Sequence, residues 1–290
     1  MKRSIGILQI LKTGPGLTIQ DQGRLGRQSY GVPISGPADS LSFNWVNHVL
    51  QNDPHASVLE VSQPGLRVKF TGKTTIAWAG AQVNVKRNGE PVTDTNLIQI
   101  EPNDELEFGR FHTGNRLYIG IKDGFLEEEI LGSQSFYKGI SAKSSFKPLD
   151  ELTYNCLQSS PLNHFAKPKW NSDWYKNPWL DFYEGPDFSF LSEDQKQKLV
   201  NHEFTLSLLS SRMGILLEEK LENHLPEMPT NPVFPGFVQL TSGGTLIILG
   251  PDAQVTGGYP RIMILSALAQ SILAQKRPGQ HIKFRKINLK

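Results

Sequence analysis

The chain has 290 residues, with 30 Lys and Arg against 28 Asp and Glu, for a formal net charge of +2. That balance excludes the electrostatic footprint of a nucleic-acid or anionic-membrane binder. The length suffices for one large or two ordinary domains with real cores. A single cysteine, Cys156, rules out an intrachain disulfide framework and suits a reducing compartment.

Taken in chain order, the N-terminus Met1-Lys2-Arg3 is basic, but the apolar stretch 5–11 is broken by Gly6 and Gln9. It reads as a poor signal peptide, no apolar run reaches membrane-span length, and the expected location is the cytoplasm. Asp39 or Ser40 can cap a helix over 41–50, with Leu41, Trp45 and Val49 on its packing face. Residues 82–93 alternate as a hairpin turning at Asn88-Gly89, and 97–108 repeat the scheme with Pro102-Asn103-Asp104 as the turn. Leu117, Ile119 and Ile121 continue the alternation. Cys156 sits between Tyr154 and Leu157 with no histidine beside it, so nothing marks it as a catalytic thiol.

Residues 159–176, with Pro161 and Pro168, read as the connection between two halves, a lobe over 1–170 and another over 171–290. Beyond it, Ser192 and Gln195 form a capping-box pattern ahead of a helix ending near Asn201, and 266–275 is a third helix. Phe204/Leu206/Leu208, Val238/Leu240, 246–249 and Ile282/Phe284 read as strands, with Gly243-Gly244 and Pro278-Gly279 as turns. With 26 Gly and 19 Pro separating short alternating segments, the body is expected to be mainly β.

Two polar, Gly-rich stretches stand out. The first is Thr18-Ile19-Gln20-Asp21-Gln22-Gly23-Arg24-Leu25-Gly26, followed by Gly31-Val32-Pro33-Ile34-Ser35-Gly36-Pro37-Ala38-Asp39. The second is Asp252-Ala253-Gln254-Val255-Thr256-Gly257-Gly258-Tyr259-Pro260, emerging from the apolar run 246–249. If the backbone stays extended there, Asp252, Gln254 and Thr256 point to one side. Gly257-Gly258 would allow positive φ or close backbone approach.

These stretches resemble the bacterial KipA proteins, also described as the PxpC component of the ATP-dependent 5-oxoprolinase and related to the carboxyltransferase domain of urea carboxylase. Leu59-Glu60, Gly80-Ala81, Ser211-Arg212-Met213-Gly214 and Ala274-Gln275 with Pro278-Gly279 also fall in that family's order, so the resemblance spans nearly the whole chain. It implies two cyclophilin-like β-barrel lobes with a few short helices. It also implies opening of 5-oxoproline to L-glutamate, with ATP as co-substrate of the complex, a KipI/PxpB-type subunit and a PxpA-type subunit as partners. The alternatives it leaves are a KipA-type regulator that antagonises a KipI-type histidine-kinase inhibitor, and a urea-carboxylase-like carboxyltransferase subunit. The sequence departs from the family's common pattern at Gln134 and Leu216, each in place of an arginine, and at Asp187 in place of a glutamine.

Several familiar sites are missing from the sequence. The seven histidines show no zinc-ligand spacing, no P-loop or Gly-x-Ser-x-Gly occurs, and no Met-Lys-Met biotin acceptor is present. No metal is therefore inferred, and no biotin is expected on this chain. Opening an unactivated lactam needs donors at the developing negative charge and an oriented water. Gln254, Thr256 and the N–H groups of Gly257 and Gly258 could supply donors, Asp252 could orient or deprotonate the water, and Tyr259 could donate its hydroxyl. Arg24 offers a planar fork for the substrate's carboxylate, Asp21 an acceptor for its amide, and Ser35 joins them as a binding residue. A local Asp21–Arg24 ion pair is the plainer reading of those two residues. Asp21, Arg24, Asp252, Gln254 and Tyr259 are expected at one cleft.

Overall fold

The structure is a computed structural model that describes residues 4–157, 167–226 and 228–288; the first part of the expected connection, 159–166 with Pro161 and His164, lies outside them. The chain divides into two compact units, one of Met1–Gly23 with Asp39–Ser172 and one of Arg24–Ala38 with Asp173–Lys290. Segment 24–38, which holds the end of the first half of the N-terminal motif region and nearly all of the second, thus groups with the second unit.

The first unit holds β1 (Ile5–Lys12), β2 (Leu17–Gln20), helix α1 (Ser40–Val49), β3 (Val58–Val61), β4 (Leu66–Phe70), β5 (Thr74–Arg87), β6 (Glu90–Val92), β7 (Leu97–Ile100), β8 (Glu105–Ile121) and β9 (Glu151–Asn155). They form one nine-stranded sheet in the order β2-β3-β8-β4-β1-β9, with β5 pairing β6, β7 and β8. Leu66, Val68 and Phe70 of β4 are buried while Arg67 is exposed, the period-2 signature that sends one face of a strand into a core. Three register shifts along the β5–β8 ladder lie between Gly80 and Val85. Bulges of this kind bend a strand pair and let a sheet curl.

The first eight residues of β5 are buried without alternation because both faces are covered. Ile76 and Trp78 enter the main core with Leu8, Ile10, Phe70 and Leu106. Ala77 and Ala79 face a second cluster containing Phe43, Val46 and Leu50 from α1 and its cap. Phe43, Val46 and Leu50 pack deepest on α1; of the expected face, Trp45 and Val49 pack partly buried against the same cluster, and Leu41 does not. Leu41 is exposed, and Trp45 and Val49 are only half-buried. Two apolar stripes run on this helix, and the small side chains beneath it select the one that packs deepest.

Asn88 and Gly89 have φ of 53° and 89°, the two positive values a two-residue hairpin of the predicted kind requires. Asn103 also turns with positive φ, but β7 pairs with β5 rather than returning along β8. Residues 97–108 are thus a corner between two strands that share a neighbour. Cys156 is free and buried, consistent with a packing role.

The second unit holds β10 (Trp179–Glu184), α2 (Glu193–Asn201), β11 (Glu203–Thr205), β12 (Gly214–Leu216), β13 (Asn231–Pro232), β14 (Phe237–Leu240), β15 (Leu246–Leu249), β16 (Thr256–Gly257), β17 (Arg261–Leu265), α3 (Ala267–Ala274) and β18 (His281–Lys286). Seven of its strands form a sheet in the order β11-β18-β10-β17-β14-β15-β12, and β13 pairs with β16 alone. Its core gathers Leu180, Phe182, Phe204, Ile262, Met263 and Phe284. The expected capping box is present at Ser192 and Gln195, and Ser266 caps α3. The strand expected through Leu208 ends at Thr205. Leu206 forms an isolated bridge to Leu217, while Leu208 is 82% exposed at a turn. Two curled sheets and three α-helices among the described residues make the architecture mainly β and two-lobed, as the resemblance implied. No described helix is long and apolar enough to cross a membrane.

The contact between α1 and β8 yields a prediction. A Cβ on Gly120 would overlap Val46 Cγ1 and lie 3.0 Å from Leu50 Cδ1. Gly120→Ala should cost about 1–3 kcal/mol by overpacking, measured by urea unfolding, and Val46→Ala in the same chain should restore part of the loss.

Candidate functional site

In the second unit, the end of one motif region docks on the start of the other. Leaving β15, the chain turns at Pro251-Asp252 instead of staying extended. There the Arg212 guanidinium meets the Asp252 carboxylate with two arms, Nε donating to Oδ2 at 2.8 Å and Nη2 to Oδ1 at 2.9 Å. The Asp252 N–H donates back to the Arg212 carbonyl at 3.1 Å. Nη2 also donates to the Gly36 carbonyl at 2.7 Å, and the Ser35 N–H donates to the Pro251 carbonyl at 2.9 Å. One rigid fork thus fixes two loops that are far apart in sequence, a task a lysine ammonium lacks the geometry to perform. The pair is sheltered, with side-chain exposures of 16% and 14%, so water weakens it less than it does a surface ion pair.

Asp252 is consequently turned to Arg212 and does not share an extended face with Gln254 and Thr256. Those two side chains are exposed on either side of the half-buried Val255, and Tyr259 is also exposed. Gly257 and Gly258 have no positive φ; the second option, close approach, is the one realised. A Cβ on Gly257 would lie 2.6 Å from Gln239 Nε2, and one on Gly258 would lie 3.3 Å from the Met228 carbonyl. The exit from the motif is pinned by Asp187, whose Oδ2 accepts from the N–H of Arg261 at 2.8 Å and from its Nε at 3.1 Å.

Ser35 has φ of 60° beside Gly36 at 83°, a left-handed pair that costs a non-glycine residue strain. It is 4% exposed, and its Oγ has no hydrogen-bond partner among the described residues. Arg24 closes the loop that leads to Ser35, its N–H donating to the Ile34 carbonyl at 2.7 Å. Its side chain is buried rather than displayed as an exposed loop cation.

In the first unit, Asp21 organises its surroundings. Its Oδ1 accepts from Ser133 Oγ at 2.5 Å, Ser135 Oγ at 2.7 Å and the Gly23 N–H at 2.8 Å. Its Oδ2 accepts from the Gln134 N–H at 2.7 Å. Hydroxyl and amide donors thus surround the carboxylate. Gln134 directs its side-chain amide to the Glu127 carbonyl at 3.0 Å, and Leu216 lies in β12 opposite Ile247. Gln134 and Leu216 are therefore built into loop and strand framework.

The other end of the N-terminal motif region is anchored by a buried chain. Asp39 caps α1 by accepting from the Ser42 N–H at 3.0 Å, as the sequence suggested. Its own N–H donates to Tyr118 Oη at 2.8 Å, and Tyr118 donates to Glu60 Oε2 at 2.7 Å. Burial, reinforced by the Glu60 and Asp39 carboxylates, raises the Tyr118 hydroxyl pKa well above its ordinary value, so it stays a donor.

Sequence reasoning assigned no role to Arg212, Ser133 or Ser135. Arg212 stood within Ser211-Arg212-Met213-Gly214, and the available signal was that the Asp252 motif contains no cation of its own.

Residues 30–286 match the family model described as the carboxyltransferase domain, subdomain A and B. The chain belongs to this family. A 5-oxoprolinase subunit of Escherichia coli is 26% identical over 96% of this chain and 90% of its own length. The urea amidolyase of Lachancea kluyveri is 27% identical over 94% of this chain, which spans only 16% of that much longer protein. The crystal structure of the K. lactis urea amidolyase overlays 97% of this chain and 19% of its own, with a TM-score of 0.83 at 24% identity, and that similarity speaks to the fold alone.

In this carboxyltransferase-domain chain, Asp21→Asn should remove the charge that Ser133, Ser135, Gly23 and Gln134 address and put an amide donor among donors. A loss of about 1.5–3 kcal/mol is expected, the scale of hydrogen bonds to a charged group, read by urea unfolding. A change within measurement error would show that the loop organises itself without the carboxylate.

Proposed function

We propose that this chain is one subunit of an ATP-dependent 5-oxoprolinase, opening 5-oxoproline to L-glutamate together with subunits of the KipI/PxpB and PxpA types. The observation that carries the reading is the end-to-end correspondence with the Escherichia coli 5-oxoprolinase subunit, 96% of this chain against 90% of that protein. In this reading the γ-phosphoryl group of ATP passes to the lactam oxygen, water adds at the ring carbon, the ring C–N bond breaks and phosphate leaves. ATP is a co-substrate of the complex.

The chain's own contribution is a set of oriented polar groups. Gln254 and Thr256 are exposed beside a turn fixed by Arg212, and Tyr259 follows with its hydroxyl accessible. Such groups, with the N–H of Gly258, suit an oxygen on which negative charge develops; the Gly257 N–H lies in the pairing of β13 with β16. Asp252, with both oxygens on Arg212, serves better as the brace of this loop than as a base. Ser35 adds a buried hydroxyl that a bound carboxylate or amide could satisfy. Arg24 remains the candidate cation for the substrate's carboxylate.

Carboxyl transfer from carboxybiotin is the second reading, favoured by the family description and by the urea amidolyase similarity. Biotin would then reside on a partner. Co-purification of this chain with its neighbouring gene products, followed by a 5-oxoproline and ATP turnover assay, separates the two. Glutamate formed in proportion to ADP supports the oxoprolinase; a biotinylated partner and bicarbonate-dependent turnover contradict it.

Within the assembled complex, Ser35→Ala should lower kcat/KM for 5-oxoproline about tenfold, the effect of losing one net hydrogen bond. Its melting temperature should not fall, because the hydroxyl has no partner among the described residues to lose. Unchanged kcat/KM would remove Ser35 from the substrate-binding set.

A further inference from the structure

Beside the Asp21 turn the first unit carries a cleft of about 390 Å³ that has no part in the proposed lactam chemistry. Four carboxylates line it, those of Asp21, Asp53, Asp123 and Glu129, and no Lys or Arg is among its lining residues. Asp21 is committed to Ser133, Gln134, Ser135 and Gly23, and Asp123 Oδ1 lies 3.1 Å from Lys122 Nζ. Asp53 and Glu129 are exposed at the rim. Asp53 accepts the His55 N–H at 2.8 Å.

The second observation is independent of this charge. Ser57 lines the same cleft, is 2% exposed, and its Oγ has no hydrogen-bond partner among the described residues. A buried hydroxyl left unsatisfied is unfavourable unless something at the site completes it. Phe125 and Ala56 supply apolar wall close to it.

We propose that this cleft binds a small organic cation, a primary alkylammonium. An ammonium group brings three donors and no acceptor, matching a serine oxygen and rim carboxylates, while its alkyl stem lies against Phe125. A divalent metal fits less well, because no group of three His, Cys, Asp or Glu side chains among the described residues is arranged to hold one. The volume falls within the range of small-ligand pockets, roughly 300–1,000 Å³.

The test is calorimetric titration of the full chain, without partners or ATP, at low salt with 1,4-diaminobutane, glutarate and Mg²⁺ in parallel. Its outcome is therefore separate from that of the oxoprolinase assay. Binding of the diamine but not of glutarate is expected. Asp53→Asn combined with Glu129→Gln should weaken it about tenfold or more, consistent with loss of charge-assisted contacts. Ser57→Ala should weaken it severalfold without lowering the melting temperature. No heat with the diamine, equal affinity in these variants, or saturable binding of Mg²⁺ alone would overturn the proposal.

Discussion

The second unit depends on one planar contact, the fork of Arg212 on the Asp252 carboxylate and the Gly36 carbonyl. Strand β15 delivers Asp252, and the chain just before β12 delivers Arg212, so sheet pairing brings the two partners together. Segment 24–38 has little regular structure of its own, only a 3₁₀ turn over Gln28–Tyr30. It is held by polar contacts such as those at Ser35 and Gly36. A segment without a ladder must be tied by side chains if its carbonyls and hydroxyls are to stay in fixed places. The guanidinium supplies this tie, and the left-handed pair Ser35-Gly36 is the conformation imposed at the tied point.

The motif residues sort by what their polar atoms meet. Asp21, Asp39 and Asp252 each have their carboxylates engaged by protein donors, and each fixes a turn, a helix start or a loop. Gln254, Thr256 and Tyr259 present their side chains at the surface, and Ser35 keeps a buried oxygen unfilled. Three acids therefore hold the scaffold, and the proposed ligand contacts fall to amide and hydroxyl groups. This division fits a site that stabilises developing charge with pre-positioned dipoles.

Much of the fold was legible because period-2 burial, Asn-Gly turns and helix caps are local signals. The Asn88-Gly89 hairpin, the Ser192–Gln195 capping box and the Asp39 cap each depend on residues within a few positions of one another. What failed was non-local. The face α1 buries is chosen by Ala77, Ala79 and Gly120 on strands beyond its own sequence window. The corner at Pro102–Asp104 gives no hint that β7 and β8 share β5 as a neighbour. In the candidate site, the acids and glycines were visible, but their partners were not. Ser133 and Ser135 reach Asp21 across more than 110 residues, and Arg212 reaches Asp252 across 40. The extended alternation expected at Asp252 gives way to a turn at which the carboxylate meets Arg212, from the segment just before β12.

Arg212 holds segment 24–38 in place through the Gly36 carbonyl. Native-state hydrogen exchange at the Ser35 amide, which donates to the Pro251 carbonyl, tests it most directly. In Arg212→Ala that amide should lose most of its protection, while amides in the β14–β17 ladder, remote from the fork, keep theirs. Unchanged protection at Ser35, or an equal loss throughout the unit, would contradict the account.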